Sequence, residues 1–188
     1  MYENLFSDDA LGNFIKIKQE QMVSEINNYQ NELNSDINTL CEQLYEKYRL
    51  KMPNLKIDRI SIDNQSEVKN GISVTFAVPF EGDSTFFKHR PLQFYPTFVY
   101  GTILGNGIHL TYTRTDYNHE AIKAELNSDI EKIKELLGWV SKDIALHNEK
   151  IKEVARQLIE FRKEKLSKVK QMIESLGFPI KEKKQEPF

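Results

Sequence analysis

The sequence predicts an α+β fold, an antiparallel β-meander of four to five strands packed with long, coiled-coil-like helices at both ends of the chain. Three observations carry this. From Ile130 the apolar residues Ile130, Ile133, Leu137, Val140, Ile144, Ile151, Val154, Leu158 and Phe161 recur three and four apart, with His147 in the one gap. Near the other end Met22, Ile26, Tyr29, Leu33, Ile37, Leu40 and Leu44 do the same. Between the two the period falls to two, the spacing that sends alternate side chains to opposite faces of a strand.

In chain order, residues 8–50 read as the first long helix. Asp8 or Asp9 is placed to cap it, no Gly or Pro interrupts its stripe, and Met52-Pro53-Asn54 ends it. Leu55, Ile57, Ile60 and Ile62 alternate in two phases, as an edge strand with a bulge near Asp58-Arg59 would, and Asp63-Asn64-Gln65-Ser66 has turn chemistry. Ile72, Val74, Phe76, Val78 and Phe80 alternate without a break, so 71–80 is a strand, with Pro79 confined to an edge, a bulge or its last turn. After the loop Glu81-Gly82-Asp83-Ser84, residues 85–88 read as a short strand. Phe98, Tyr100, Thr102 and Leu104 run into Gly105-Asn106-Gly107, and Ile108, Leu110, Tyr112 and Arg114 return from it, which is a β-hairpin.

The sheet at 55–114 has one apolar face and needs cover, which helices on both sides of it in sequence can provide. The helical run 118–177 starts at Asn118 as cap, with Glu120 in the first turn where the helix dipole favours an acid, and closes on Gly177. It would span roughly 85 Å if unbroken at 1.5 Å per residue. Whether it is one helix or a hairpin folded near His147-Asn148 is open. After Phe161 its register slips to Leu166, Val169, Ile173 and Leu176. A stripe this narrow and long calls for another long helix as partner, in this chain or in a second copy. Residues 1–177 thus form one domain, and 178–188 a charged tail or linker whose alternating Lys and Glu should leave it mobile and dispensable for folding.

Composition bounds the function. With 188 residues, 39% hydrophobic and 29% charged, the chain can bury a core. No apolar run approaches the roughly 20 residues needed to cross a bilayer, and the start lacks the basic and apolar parts of a signal peptide, so a cytoplasmic protein without membrane contact is expected. The net charge of −2 conceals an acidic N-terminal part and a basic stretch from Lys142 to Lys184, which suits helices packed together better than a nucleic-acid stripe, since acids are interspersed among the bases. Cys41, the single cysteine, lies in a helical pattern as a small buried hydrophobe would, which leaves no disulfide or CxxC metal site.

No Walker loop, GxGxxG, HExxH or GxSxG occurs, and no catalytic residue, metal ligand or cofactor is expected. Asp116-Tyr117-Asn118-His119-Glu120 could hold a metal but reads more simply as a helix start. The one compact knot of bases is Lys88-His89-Arg90, flanked by Phe86, Phe87, Phe94 and Tyr95. Bases for phosphates and rings for stacking are what a single-stranded nucleic-acid or nucleotide site uses, with Tyr112 and Arg114 as accomplices if the hairpin lies alongside. The plainer reading is core aromatics beside a solvated loop.

The stretches Val78-Pro79-Phe80-Glu81-Gly82-Asp83, Arg90-Pro91, Trp139 with Asp143-Ile144, Asn148, Arg162-Lys163 and Leu176-Gly177-Phe178-Pro179-Ile180-Lys181 resemble the N-terminal half of a family of bacterial proteins. In that family a helical region leads through a linker into a restriction-endonuclease-like domain, and its members look like nuclease effectors of antiphage defence. The family's nuclease motif, an aspartate followed by Glu-Cys-Lys, has no counterpart here, since Cys41 stands in Leu40-Cys41-Glu42 on a helix. The resemblance therefore implies an accessory half, with any nuclease activity in another domain or a partner. The expectation is a non-catalytic interaction or oligomerisation module that forms a homo-oligomer through Ile133, Leu137, Val140, Ile144, Ile151, Val154, Leu158 and Phe161. The alternative is a nucleic-acid or nucleotide-binding module using the basic and aromatic loop.

Overall fold

The computed structural model describes residues 3–93 and 97–178. In chain order its elements are β1 (Glu3–Asn4), β2 (Asp8–Ala10), α1 (Leu11–Asn28), α2 (Ile37–Tyr48), β3 (Asn54–Leu55), β4 (Ser61–Val68), β5 (Gly71–Glu81), β6 (His89–Arg90), β7 (Tyr100–Leu104), β8 (Gly107–Arg114) and α3 (His119–Ser175), with short 3-10 turns at Asn31–Asn34, Ile57–Arg59 and Ser84–Phe87. The α+β character stands. The expected long helix at the N-terminal end does not, because that end is two short strands followed by a broken helix.

The alternating run at 71–80 is β5, the spine of a curled antiparallel sheet ordered β1-β7-β8-β5-β3, with β4 also paired to β5. Val74 faces Tyr112, Phe76 faces Leu110 and Val78 faces Ile108, which builds one apolar face. On the other face Thr75 and Thr111 share a hydroxyl hydrogen bond of 2.7 Å, and Thr113 donates to Ser73 at 3.1 Å. The hairpin β7–β8 turns as its sequence requires, with positive φ (56°) at Gly105, the first of the two residues between Leu104 and Gly107. Pro79 sits near the end of β5 opposite Gly107, with its carbonyl taking the Lys56 N–H at 2.8 Å.

Several expected elements are corrected. Asp58-Arg59 belongs to a 3-10 turn, and the bulge falls instead between Ile62 and Asn64. Asp63-Asn64-Gln65-Ser66 is no turn but part of β4, because pairing with β5 outweighs the local turn preference of these residues. The reversal lies at Lys69-Asn70, where Asn70 takes φ of 65° just before Gly71. Residues 85–88 form no strand. Asp83 accepts from the Thr85 N–H at 2.8 Å and starts a 3-10 turn that buries Phe86 and Phe87.

The first helix is not one helix over 8–50. Residues 8–10 are β2, α1 starts at Leu11 without a side-chain cap, and the chain leaves it at Tyr29 in an extended conformation. Asp36 then caps a new helix by accepting from the Thr39 N–H at 3.0 Å. The run Asn31 to Asp36, rich in short polar side chains that bond to their own backbone, is what divides the stripe, with no Gly or Pro involved. The stripe folds on itself, and α1 and α2 pack side by side on α3. That helix is a single one of 57 residues, about 85 Å long.

Two cores result. The first half of α3 covers the sheet, with Ile122, Leu126, Ile130, Ile133, Leu136, Leu137, Val140 and Ile144 against Val78, Phe80, Ile108 and Leu110. Leu5, Phe6 and Leu11 complete this core. The chain reverses at Phe6, whose φ of 56° is costly for an aromatic residue and is held by full burial of its ring, edge-on to Phe87. The second core joins Met22, Ile26, Leu40, Cys41, Leu44 and Tyr48 of α1 and α2 to Ile151, Ala155 and Ile159 of α3.

Candidate functional site

The seam is where the structure departs most usefully from its heptad reading. Ile133, Leu137, Val140, Ile144 and Ile151 are buried, but Val154 and Phe161 are exposed, Leu158 is half-buried, and the buried line continues through Ala155 and Ile159. A heptad repeat drifts by about 20° per seven residues on an uncoiled helix. Over the length of α3 that drift carries the later heptad positions off the contact line, and the slip expected after Phe161 comes earlier, at Ala155. The sheet covers the buried line as far as Ile144 and the α1–α2 pair covers Ile151, Ala155 and Ile159, so that line is covered within this chain.

Polar contacts agree with the charge asymmetry. Lys152 meets Glu42 at 2.5 Å, Arg156 donates to Asn38 at 2.6 Å, and the Arg162 Nε–H donates to the Tyr29 carbonyl at 3.3 Å. Between α1 and α2, Glu25 accepts from Lys47 and from the Tyr48 hydroxyl, both at 2.6 Å. Burial alone would raise the Glu25 carboxyl, but these two donors offset it and hold the group below the ordinary carboxylate value. The Tyr29 phenol is pushed up to about 12 by burial and the charge of Glu25.

Alongside the α1–α2 pair and past it, α3 carries a stripe of apolar residues that are exposed among the described residues. Phe161 is 64% exposed and Met172 60%, and Val154, Val169 and Leu176 are exposed too. At 100° per residue these five fall within about 80° of the helix circumference. The stripe lies beside the line through Ile151, Ala155 and Ile159. Ion pairs such as Lys168–Glu164 at 2.5 Å occupy other parts of the same helix.

The basic knot is a structural latch. The imidazole of His89 bonds the Asp9 carbonyl at 3.1 Å and stacks on Phe14 at 5.1 Å, while the Arg90 Nε–H donates to the Asp8 carbonyl at 3.0 Å. Both side chains reinforce the parallel pairing of β2 with β6. Lys88 is exposed, and Phe94 and Tyr95 lie outside the described residues. Tyr112 and Arg114 are engaged elsewhere. The buried Tyr112 hydroxyl donates to Asp129 at 3.0 Å and its phenol is pushed up by burial and by the Asp129 charge, while Arg114 is paired with Glu125. Tyr112 and Arg114 lie opposite Val74 and Ile72 in the main sheet, whereas His89 and Arg90 pair with Asp8 and Ala10 in a separate two-stranded sheet.

Asn118 caps α3 as expected, accepting from the Ala121 N–H at 3.0 Å. Among the described residues no group of three or more His, Cys, Asp or Glu could hold a metal ion, and no helix is long and apolar enough to cross a membrane. Cys41 is buried between α2 and α3, and burial pushes its thiol up, away from the reactive thiolate. The tail from 179 onward lies outside the described residues. No family model, curated protein or solved structure matches this chain.

Proposed function

We propose that this chain is a non-catalytic interaction module that self-associates through the distal part of α3. The observation that carries the reading is the stripe of Val154, Phe161, Val169, Met172 and Leu176, apolar and exposed along one side of α3. Exposed apolar surface in a continuous line is a docking surface by default, because leaving it in water forfeits about 25 cal/mol for each Å² that a partner could cover. A second copy of α3 presents the same line, and the mixed charges on the flanking faces let two such helices lie side by side without net repulsion. The resemblance to defence effectors makes a nuclease the heterologous partner to seek, recruited through the residues that follow α3.

Sedimentation of the intact chain from about 1 to 100 µM tests self-association. A monomer–dimer equilibrium is expected, abolished by the double substitution Phe161→Glu and Met172→Glu with the thermal transition of the monomer unchanged. A chain that stays monomeric across that range would refute the reading, as would a dimer indifferent to both substitutions.

A further inference from the structure

A groove that plays no part in the distal stripe opens between the curled sheet and the first turns of α3. It encloses about 740 Å³ and is lined by Ile57, Ile60, Ile62, Ile72, Val74 and Phe76 on the sheet side and by Ile122, Leu126 and Ile130 on α3. A volume of this size is what small-molecule sites enclose, and a lining that is mostly aliphatic with a few polar groups at its margin is their usual composition. The groove has a sequence cause. Ile72, Val74 and Phe76 belong to the same alternating face as Val78 and Phe80, but Ile72 and Phe76 stay half-buried where Val78 and Phe80 are fully buried, and Ile62 remains 58% exposed.

Charge at the margin is uneven. Glu131 is taken up by Lys134 at 2.6 Å, whereas Lys123, which also lines the groove, has no ion-pair partner among the described residues. Lys123 lies near the N-terminal end of α3, the positive end of the helix dipole. From Lys123 to Lys134 the groove follows eleven residues of helix, about 17 Å at 1.5 Å per residue, which suits an elongated occupant better than a compact one.

We propose that this groove binds a single-chain amphiphile with an anionic head, such as a medium-chain fatty acid, its tail along the isoleucines and its carboxylate at Lys123. The apolar lining supplies affinity in proportion to chain length, and the one unmatched lysine sets the orientation. The Asn127 amide, also at the margin, is a second polar contact for the head group.

Calorimetric titration of the intact chain with octanoate, nonanoate and decanoate below their micellar concentrations tests this, with decanol as the uncharged control. One molecule should bind per chain, tightening about fourfold for each added CH2. Ile62→Asp, at an exposed position, should weaken decanoate by at least about tenfold, and Lys123→Glu should weaken decanoate by about tenfold while leaving decanol unchanged. Phe161→Glu should alter neither. If Ile62→Asp fails to fold, the chain-length series and Lys123→Glu decide. Absence of binding, adsorption without saturation, or affinity unchanged in both groove variants would overturn the proposal. So would loss of self-association in Ile62→Asp with no alkanoate binding by the parent chain, because the groove would then be a contact between copies.

Discussion

Asn148 and Leu50 are bound to each other twice: the Leu50 N–H donates to Asn148 Oδ1 at 2.9 Å, and Asn148 Nδ2 donates to the Leu50 carbonyl at 3.0 Å. A side-chain amide in the middle of α3 thus completes the backbone of the segment that leaves α2, as a neighbouring strand would. The contact lies where the sheet core gives way to the helical core.

Asn148→Ala should therefore cost more than an ordinary polar truncation. It leaves a half-buried donor and a half-buried acceptor unmatched, about 1–3 kcal/mol each when water cannot replace the partner. A total loss of about 2–4 kcal/mol is expected by chemical denaturation. Asn148→Asp keeps the acceptor but loses the donor and should be no better tolerated. A loss within about 0.5 kcal/mol for Asn148→Ala would mean that water substitutes fully.

His147, the adjacent residue, should make stability depend on pH. Its ring is buried, with Nε2 at 3.5 Å from the Tyr48 carbonyl and Nδ1 at 3.4 Å from the Gln19 amide, an arrangement that suits neutral imidazole donating through one nitrogen and accepting through the other. Burial lowers its pKa below the ordinary 6.5. As pH falls through about 6.5 the unfolded chain takes up a proton that the folded chain refuses, so stability falls until the folded-state value is reached. His147→Gln should flatten the stability profile between about pH 7 and 5 relative to the parent. A parallel profile for the two proteins would show that His147 is protonated without cost.

Glu25 acts with the opposite sign. Its carboxyl is held low in the folded state, so its contribution is present above the unfolded value of 4.5 and disappears as pH falls through the folded one. Glu25→Gln should cost about 1–3 kcal/mol at pH 7, the range for hydrogen bonds to a charged group. The gap should narrow as pH falls below the unfolded value of 4.5 and close once the folded-state carboxyl has taken up its proton. A gap that persists unchanged would show that the loss does not depend on the carboxylate charge.

The register of the helical core can be read from neighbouring residues. Ile159 is fully buried and Leu158 only half-buried, so Ile159→Ala should cost about 2–5 kcal/mol and Leu158→Ala distinctly less. Lys152→Ala, which removes a surface ion pair with Glu42 and a cation–π contact with the Tyr45 ring, should cost about 1 kcal/mol. The reverse order for Ile159 and Leu158 would restore the heptad register.

By itself the sequence determined what local chemistry can determine. Alternation at 72–80 places β5, Gly105 with Asn106 places the hairpin turn, Asn118 and Gly177 bound α3, and the two apolar stripes announce helices that need cover. Asn70-Gly71 was as legible a turn signal as Asn106-Gly107 and marks the β4–β5 reversal that the Asp63–Ser66 run obscured. What only the tertiary structure decided depends on contacts between distant residues. Whether 22–44 is one helix or two turns on Asp36 capping a new start while Leu33 reaches the helical core, and β1 and β2 exist only because β7 and β6 lie beside them. The drift of the seam onto Ala155 and Ile159 follows from the mismatch between a seven-residue repeat and 3.6 residues per turn along one unbroken helix. The groove arises where α3 and a curled sheet leave Ile62, Ile72 and Phe76 incompletely covered, and no periodicity along the chain records where a curved surface parts from its cover.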